Sequence, residues 1–351
     1  MKAYIRSSAC ISAQNTFNQQ GFLDQVVEYD GTRLPVIEPD YKEYIDLKLI
    51  RRMSSVIKRG VAAAKQCLTD AGIEMPDAVI TGTALGCLED TVTFLTRMIE
   101  LNEEMLPPTA FIQSTHNTVA AQIALMLQCH GYNSTFVHKG ISFESALLDA
   151  LMLLNEKEAN NVLVGGTEET VDASFKVLTR LGLYRRQPVS NLALFETEAK
   201  GTINGEGSAF FLLTDKPSPA NLAELAGIKI LYQSDNIEQD IIDFLKEYSL
   251  KPEDIDLLIT GRNGDIRNDA VYKQLGSSIF ESNAIANYKH LCGEYPVSTS
   301  FALWLASNIL KREKVPSVIF ERKTNGDIPK KILIYNHYFN KYHSLMLLSA
   351  I

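Results

Sequence analysis

Residues 134–168 read STFVHKGISFESALLDALMLLNEKEANNVLVGGTE. Residues 134–138 have the character of a short strand, and 161–165 (NVLVG) that of a strand buried on both faces. Between them, 142–154 place Phe143, Ala146, Leu147, Ala150, Leu151 and Leu154 at helical spacing on a very wide apolar face. Such a helix predicts cover on every side, which a plain open sheet does not provide.

A second stretch repeats the pattern. Residues 298–310 carry Phe301, Ala302, Leu305, Ala306, Ile309 and Leu310 at helical spacing, enter from small polar residues, and lead into VPSVIF. The parallel predicts an internal duplication, with the halves 1–220 and 221–351 meeting in DKPSPANLAELA at 215–226. Working outward, a helix is expected over 50–71, with Ile50, Met53, Ile57, Val61, Ala64, Leu68 and Ala71 inside and Gly72 as terminator. Strands are expected at 78–83 and 208–213, and a helix from the cap Asn117 to Gln128. In the second half, strands are expected at 227–232, 255–260, 317–321, 332–335 and 344–348, with a helix at 237–248. The alternation argues an α/β chain of stacked layers.

Composition narrows the function. Of 351 residues, 46% are apolar and 22% charged, the balance of a globular chain. A net charge of −8 with no basic block argues against nucleic acid and anionic membrane as partners. Apolar runs such as 209–213 are too short to span a bilayer. The opening MKAYIRSSACISA is interrupted by Arg6 and does not read as a signal peptide. Five cysteines, odd in number and without a C-x-x-C pair, predict neither a disulfide framework nor a cysteine zinc site. Free thiols suit a reducing compartment, so a cytoplasmic location is expected, with no metal and no cofactor.

Four segments then combine: Gly82-Thr83-Ala84-Leu85-Gly86, Gly165-Gly166-Thr167-Glu168, Gly205-Glu206-Gly207-Ser208 followed by AFFLL, and Lys289-His290-Leu291-Cys292-Gly293. In order and rough spacing they resemble the G-T-G-x-G loop, the G-G-A-E turn, the G-E-G-A-G strand and the K-S-x-T-G run of the β-ketoacyl synthase family. The resemblance covers most of the chain. It implies the thiolase-like fold, two duplicated α/β halves in five layers, normally dimeric. It also implies acyl carrier protein or another acyl thioester as partner.

The departures are as informative as the matches. The resemblance implies a catalytic cysteine 28 positions before Glu168, and that place holds Gly140. The gapless count is supported by Lys157-Glu158-Ala159-Asn160, which falls where the family has G-D-A-D. Glycine has no side chain to hold an acyl group as a thioester. The family's first catalytic histidine falls in Thr260-Gly261-Arg262-Asn263-Gly264-Asp265, and no histidine lies between His138 and His290. The second falls at Glu294. The glycine-rich loop of the oxyanion hole is replaced by NHYFNKYHS at 336–344, while Lys289 is retained. The resemblance therefore implies a member that no longer condenses, similar to the chain-length factors that pair with an active, cysteine-bearing synthase.

Each remaining candidate has a functional and a plain reading. Ser142 lacks the full G-x-S-x-G, because position 144 is Glu; it reads as a helix N-cap, with Glu144 complementing the helix dipole. Cys87 and Cys292 read as packing residues, Cys292 being the better placed to line a pocket. Lys289 and Glu294, five apart, read as an ion pair more readily than an acid/base pair. His116 is expected to approach the cavity from a helix start. His337 and His343 replace the glycine loop without metal-ligand spacing. Asp265, Asn268 and Asp269 read as a polar turn and helix cap, not a calcium loop. The helix 142–154 is expected to floor an acyl cavity near the dimer interface, with Phe136, Phe143 and Met152 limiting chain length by bulk. A Gly140→Cys change is expected to restore capture weakly.

The leading expectation is a silent subunit of fatty-acid, polyene or polyketide-type synthesis, as homodimer or heterodimer. The alternatives are an acyltransferase or condensing enzyme using Glu294, Lys289 or His116 without covalent capture, and a non-catalytic acyl-binding scaffold.

Overall fold

The computed structural model describes residues 1–18, 21–324 and 328–351. The first half contains β1 (Ala3–Ile11), β2 (Asp30–Gly31), α1 (Leu47–Ile50), α2 (Ser55–Ala71), β3 (Ala78–Gly82), α3 (Leu88–Glu100) and α4 (Pro108–Gln113). It continues with α5 (Thr118–Leu127), β4 (Tyr132–Phe136), α6 (Ser142–Asn155), β5 (Asn161–Glu168), α7 (Asp172–Arg180), β6 (Val189–Ser190) and β7 (Gly207–Thr214). The second contains β8 (Ala223–Tyr232), α8 (Ile237–Glu247), β9 (Leu257–Thr260), α9 (Ile266–Ser277), β10 (Ala284–Asn287) and α10 (Lys289–Cys292). It ends with α11 (Thr299–Arg312), β11 (Phe320–Arg322), β12 (Lys331–Tyr338) and β13 (Tyr342–Ser349).

The duplication is visible in the strand order. The first half runs β4-β3-β5-β7-β1 and the second β10-β9-β12-β13-β8. The directions repeat too. The three strands at the far end pair in parallel and the other two join antiparallel in both halves. β11 extends the second sheet at its outer edge. The two sheets meet through a short antiparallel ladder, Ala3 to Leu225, Tyr4 to Glu224 and Ile5 to Ala223.

Alternation along the strands builds the layers. Leu257 and Ile259 of β9 face the central core, while Leu258 faces the outer one. The central core holds α6 and α11 between the two sheets. α2 and α5 cover the far face of the first sheet, and α8 and α9 that of the second. This is the expected five-layer arrangement. Every residue of α11 from Thr299 to Leu310 is buried. Its polar groups are absorbed locally: Ser307 Oγ and Asn308 Nδ2 both donate to the Trp304 carbonyl.

Several boundaries differ from expectation. The long helix begins at Ser55, with Ile50 in the separate α1; Gly72 ends it at φ +65°, its N–H returning to the Leu68 and Thr69 carbonyls. Asn117 precedes α5 without a side-chain cap bond. Residues 317–319 form a 3-10 turn before the short β11. β1 was hidden by Arg6, Ser7 and Ser8 within its run. Arg6 donates to the Ala71 carbonyl and Ser7 to the Cys67 carbonyl, so the end of α2 absorbs their polarity.

Phe301 lies between the sheets, its ring 5.4 Å from that of Trp304 and fully buried. Phe301→Ala is expected to cost about 3–5 kcal/mol, seen as a lower urea midpoint with an unchanged slope.

Candidate functional site

A cleft of about 330 Å³ opens between the loop after β3, the end of α7, the loop after α10 and the β12–β13 hairpin. Ala84, Leu85, Leu178, Leu183 and Pro296 give it apolar walls; Asn263, Glu294 and His337 are among its polar groups. The loop after β3 is held by Glu168, which accepts from Ala84 N at 2.8 Å, Leu85 N at 3.1 Å and Thr83 Oγ1 at 3.2 Å. Burial outweighs these bonds and pushes its carboxyl up to about 8. Glu206 instead pairs with the buried Arg59 at 2.8 Å.

Glu294 is positioned by two glycines packed back to back. A Cβ on Gly205 would sit 2.0 Å from the Cys292 carbonyl oxygen, and one on Gly293 2.5 Å from Gly205 Cα. Their contact lets Glu294 N reach the Ile203 carbonyl at 2.9 Å. Lys289, buried at the start of α10, donates to Glu294 Oε2 at 2.6 Å. Asn263 Nδ2 donates to the same oxygen at 2.7 Å. Asn263 Oδ1 accepts from Asp265 N at 3.1 Å, and Asp265 caps α9 by accepting from Arg267 N. Asp269 accepts from the backbone of Asn263 and Gly264, so the acidic residues here brace a turn and a helix start.

The hairpin closes the other side. Phe339 and Asn340 take φ +54° and +52°, a tight turn that pairs Tyr338 with Tyr342 and His337 with His343. This stacks Tyr338 on Gly140. A Cβ built on Gly140 would lie 2.3 Å from Tyr338 Cγ and 2.4 Å from its Cβ. The space that a side chain at position 140 would need is occupied by a ring.

The structure corrects several expectations. Met152 is 42% exposed and Phe143 is sealed in the central core, so neither lines the cleft, and α6 does not floor it. Phe136 ends β4, packed against the central core outside the cleft. His116 is exposed and lies against Gly86, away from the cleft. Cys292 is buried outside the cleft, its Sγ donating to the Gly293 carbonyl, and burial pushes its thiol well up. Ser142 Oγ accepts from His138 N at 2.8 Å and donates to the Lys139 carbonyl at 2.7 Å, holding the turn before α6. Glu144 lies in the first turn of α6, as expected, and is fully buried. His337 lines the cleft, but Nδ1 accepts from Asn340 N and Nε2 donates to the Asn268 carbonyl. Burial pushes its pKa down to about 3, so the ring stays neutral and has no free lone pair.

The family model for the β-ketoacyl synthase N-terminal domain matches residues 37–218. The chain belongs to the β-ketoacyl synthase family. A curated relative, 3-oxoacyl-[acyl-carrier-protein] synthase 2 of Vibrio cholerae serotype O1, is 24% identical over 187 residues. The match takes in 50% of this chain and 45% of that relative, so the chain spans less than half of the relative's length. Among solved structures, the ishigamide ketosynthase/chain length factor superposes with TM-score 0.80 at 16% identity, over 100% of this chain and 99% of that one. A β-ketoacyl synthase from Burkholderia phymatum STM815 gives 0.80 at 15%, over the same shares. The ketosynthase ApeO with its chain length factor ApeC from Xenorhabdus doucetiae gives 0.79 at 17%, over 99% and 98%. At these identities the likeness establishes the fold.

Within the β-ketoacyl synthase family, the signal that sequence reasoning passed over is Tyr338. It sat in the NHYFNKYHS segment, where the loss of glycines was legible and the arrival of a plug was not. Gly140→Cys alone is therefore expected to gain no alkylation by iodoacetamide in the native state. Gly140→Cys with Tyr338→Ala is expected to gain one adduct by intact mass, against a background of five buried cysteines.

Glu144 supplies a pH test. Ser344 Oγ donates to Oε1 at 2.9 Å, Oε2 has no hydrogen-bond partner among the described residues, and burial raises the pKa from 4.5 to about 7. The folded chain then binds more protons than the unfolded one between those values. This contribution is full below about 4.5 and is lost as pH rises through about 7. Glu144→Gln is expected to flatten that part of the fall in unfolding free energy measured by urea titration at several pH values.

Proposed function

We propose that this chain is a non-condensing, chain-length-factor-like partner of a cysteine-bearing β-ketoacyl synthase, acting on chains delivered by acyl carrier protein in fatty-acid, polyene or polyketide-type synthesis. The observation that carries the reading is the Tyr338 ring in the space above Gly140. Condensation needs a nucleophile there and two donors to polarise a thioester carbonyl. Position 140 has no side chain, and Asn263 and Glu294 are bound to each other.

The surface supports a partner. β4 is the edge strand of the first sheet, and Val137 beyond it and Met152 on α6 are exposed. α3 buries no residue, yet it and the following segment expose Leu95, Ile99, Met105, Phe111 and Ile112, with Met105 94% exposed. An apolar surface of this kind calls for cover. Two of the similar structures contain, by their names, a ketosynthase and a chain length factor. Acyl transfer without capture has less support, because His116 lies off the cleft and Glu294 is held by Lys289 and Asn263. Among the described residues no helix is long and apolar enough to cross a membrane, and five free cysteines suit a cytoplasmic site of action.

Co-expression with a cysteine-bearing synthase tests the proposal. The expected results are a one-to-one complex by native mass and product formation only in the presence of both chains. Val137→Asp and Ile99→Asp are expected to weaken the complex by roughly tenfold or more while leaving circular dichroism unchanged. Turnover by this chain alone, or no complex with any such synthase, would overturn the reading.

A further inference from the structure

The polar lining of the cleft around Glu294 has the opposite polarity from a site built to polarise a carbonyl. Asn263 spends an amide hydrogen on Glu294, and His337 has both ring nitrogens engaged. Lys289 is directed at Glu294 Oε2 and does not line the cleft. Glu294 itself lines the cleft with 15% of its side chain exposed. Both of its hydrogen bonds fall on Oε2, which leaves Oε1 without a partner among the described residues. A carboxylate only accepts, and the Tyr184 and Tyr338 hydroxyls can turn either way. The nearby ammonium already balances the carboxylate charge, so a neutral donor fits better than a second cation.

We infer that the cleft binds an aliphatic chain carrying a hydroxyl, the hydroxyl donating to Glu294 Oε1 and the chain lying on the apolar walls. The inference deepens the non-condensing reading and rests on it, since the bound chain is held without a covalent bond. The hydroxyl has two sources, a free alcohol or an ester-linked hydroxyacyl chain. Lys139 also lines the cleft and offers the competing attraction for a carboxylate, while Arg267 is paired with Asp265.

The test is ligand-observed NMR titration of the isolated chain with 1-octanol, methyl 3-hydroxyoctanoate, methyl octanoate and octanoate. One or both hydroxyl compounds are expected to bind about tenfold more tightly than octanoate and methyl octanoate, the value of one hydrogen bond to a charged group. The tighter of the two identifies the source. Glu294→Gln is the decisive variant. Lys289 and Asn263 both donate, so they draw the amide oxygen toward themselves and turn its NH₂ into the cleft. The preference is then expected to reverse toward methyl octanoate. If that variant fails to fold, Lys289→Gln with Glu294→Gln removes both charges and keeps the same reversal. Equal or tighter binding of octanoate, binding of none of the four, or an unchanged preference in the variants would overturn the inference. Complex formation with a synthase is measured separately, so failure of one reading leaves the other standing.

Discussion

The close approach of the Tyr338 ring to Gly140 is the constraint on which the rest of the site depends. Side-chain carbon cannot occupy position 140 while the ring is there. The ring is there because the segment after β12 turns back on itself at Phe339 and Asn340 instead of running as a glycine loop. The bare position 140 and the glycine-poor segment 336–344, far apart in the sequence, meet in one steric contact.

The charged groups follow the same logic. Lys289 is buried, and a buried ammonium without a partner is costly. Glu294 supplies the partner and Asn263 the second donor. The family motifs around them have become framework: Glu168 holds a wall loop, Glu206 anchors Arg59, and Gly205 and Gly293 bring two loops into contact. Residues that resemble catalytic motifs here position backbone.

Much of the fold was legible because burial writes itself into periodicity. The apolar faces of α6 and α11 predicted the central layer, and NVLVG and SAFFLL predicted strands covered on both faces. Elements with mixed polarity were not legible. β1 carries Arg6 and Ser7, whose bonding partners lie far along the chain, and no local pattern encodes that. At the site, Glu294 beside Lys289 was readable from spacing. The separation of Phe143, Met152 and Cys292 from the cleft was not, because apolar character says that a residue is buried but not in which layer.

The short ladder between β1 and β8 bears on how the molecule is made. β1 starts at Ala3, yet its neighbours β7 and β8 begin at Gly207 and Ala223. Loop closure over such separations is entropically costly, and high contact order slows folding. α6 and α11 come from different halves but share one core, so neither half can finish its interior by itself. β1 therefore stays unpaired until both β7 and β8 are made, an exposed strand edge through the synthesis of everything between.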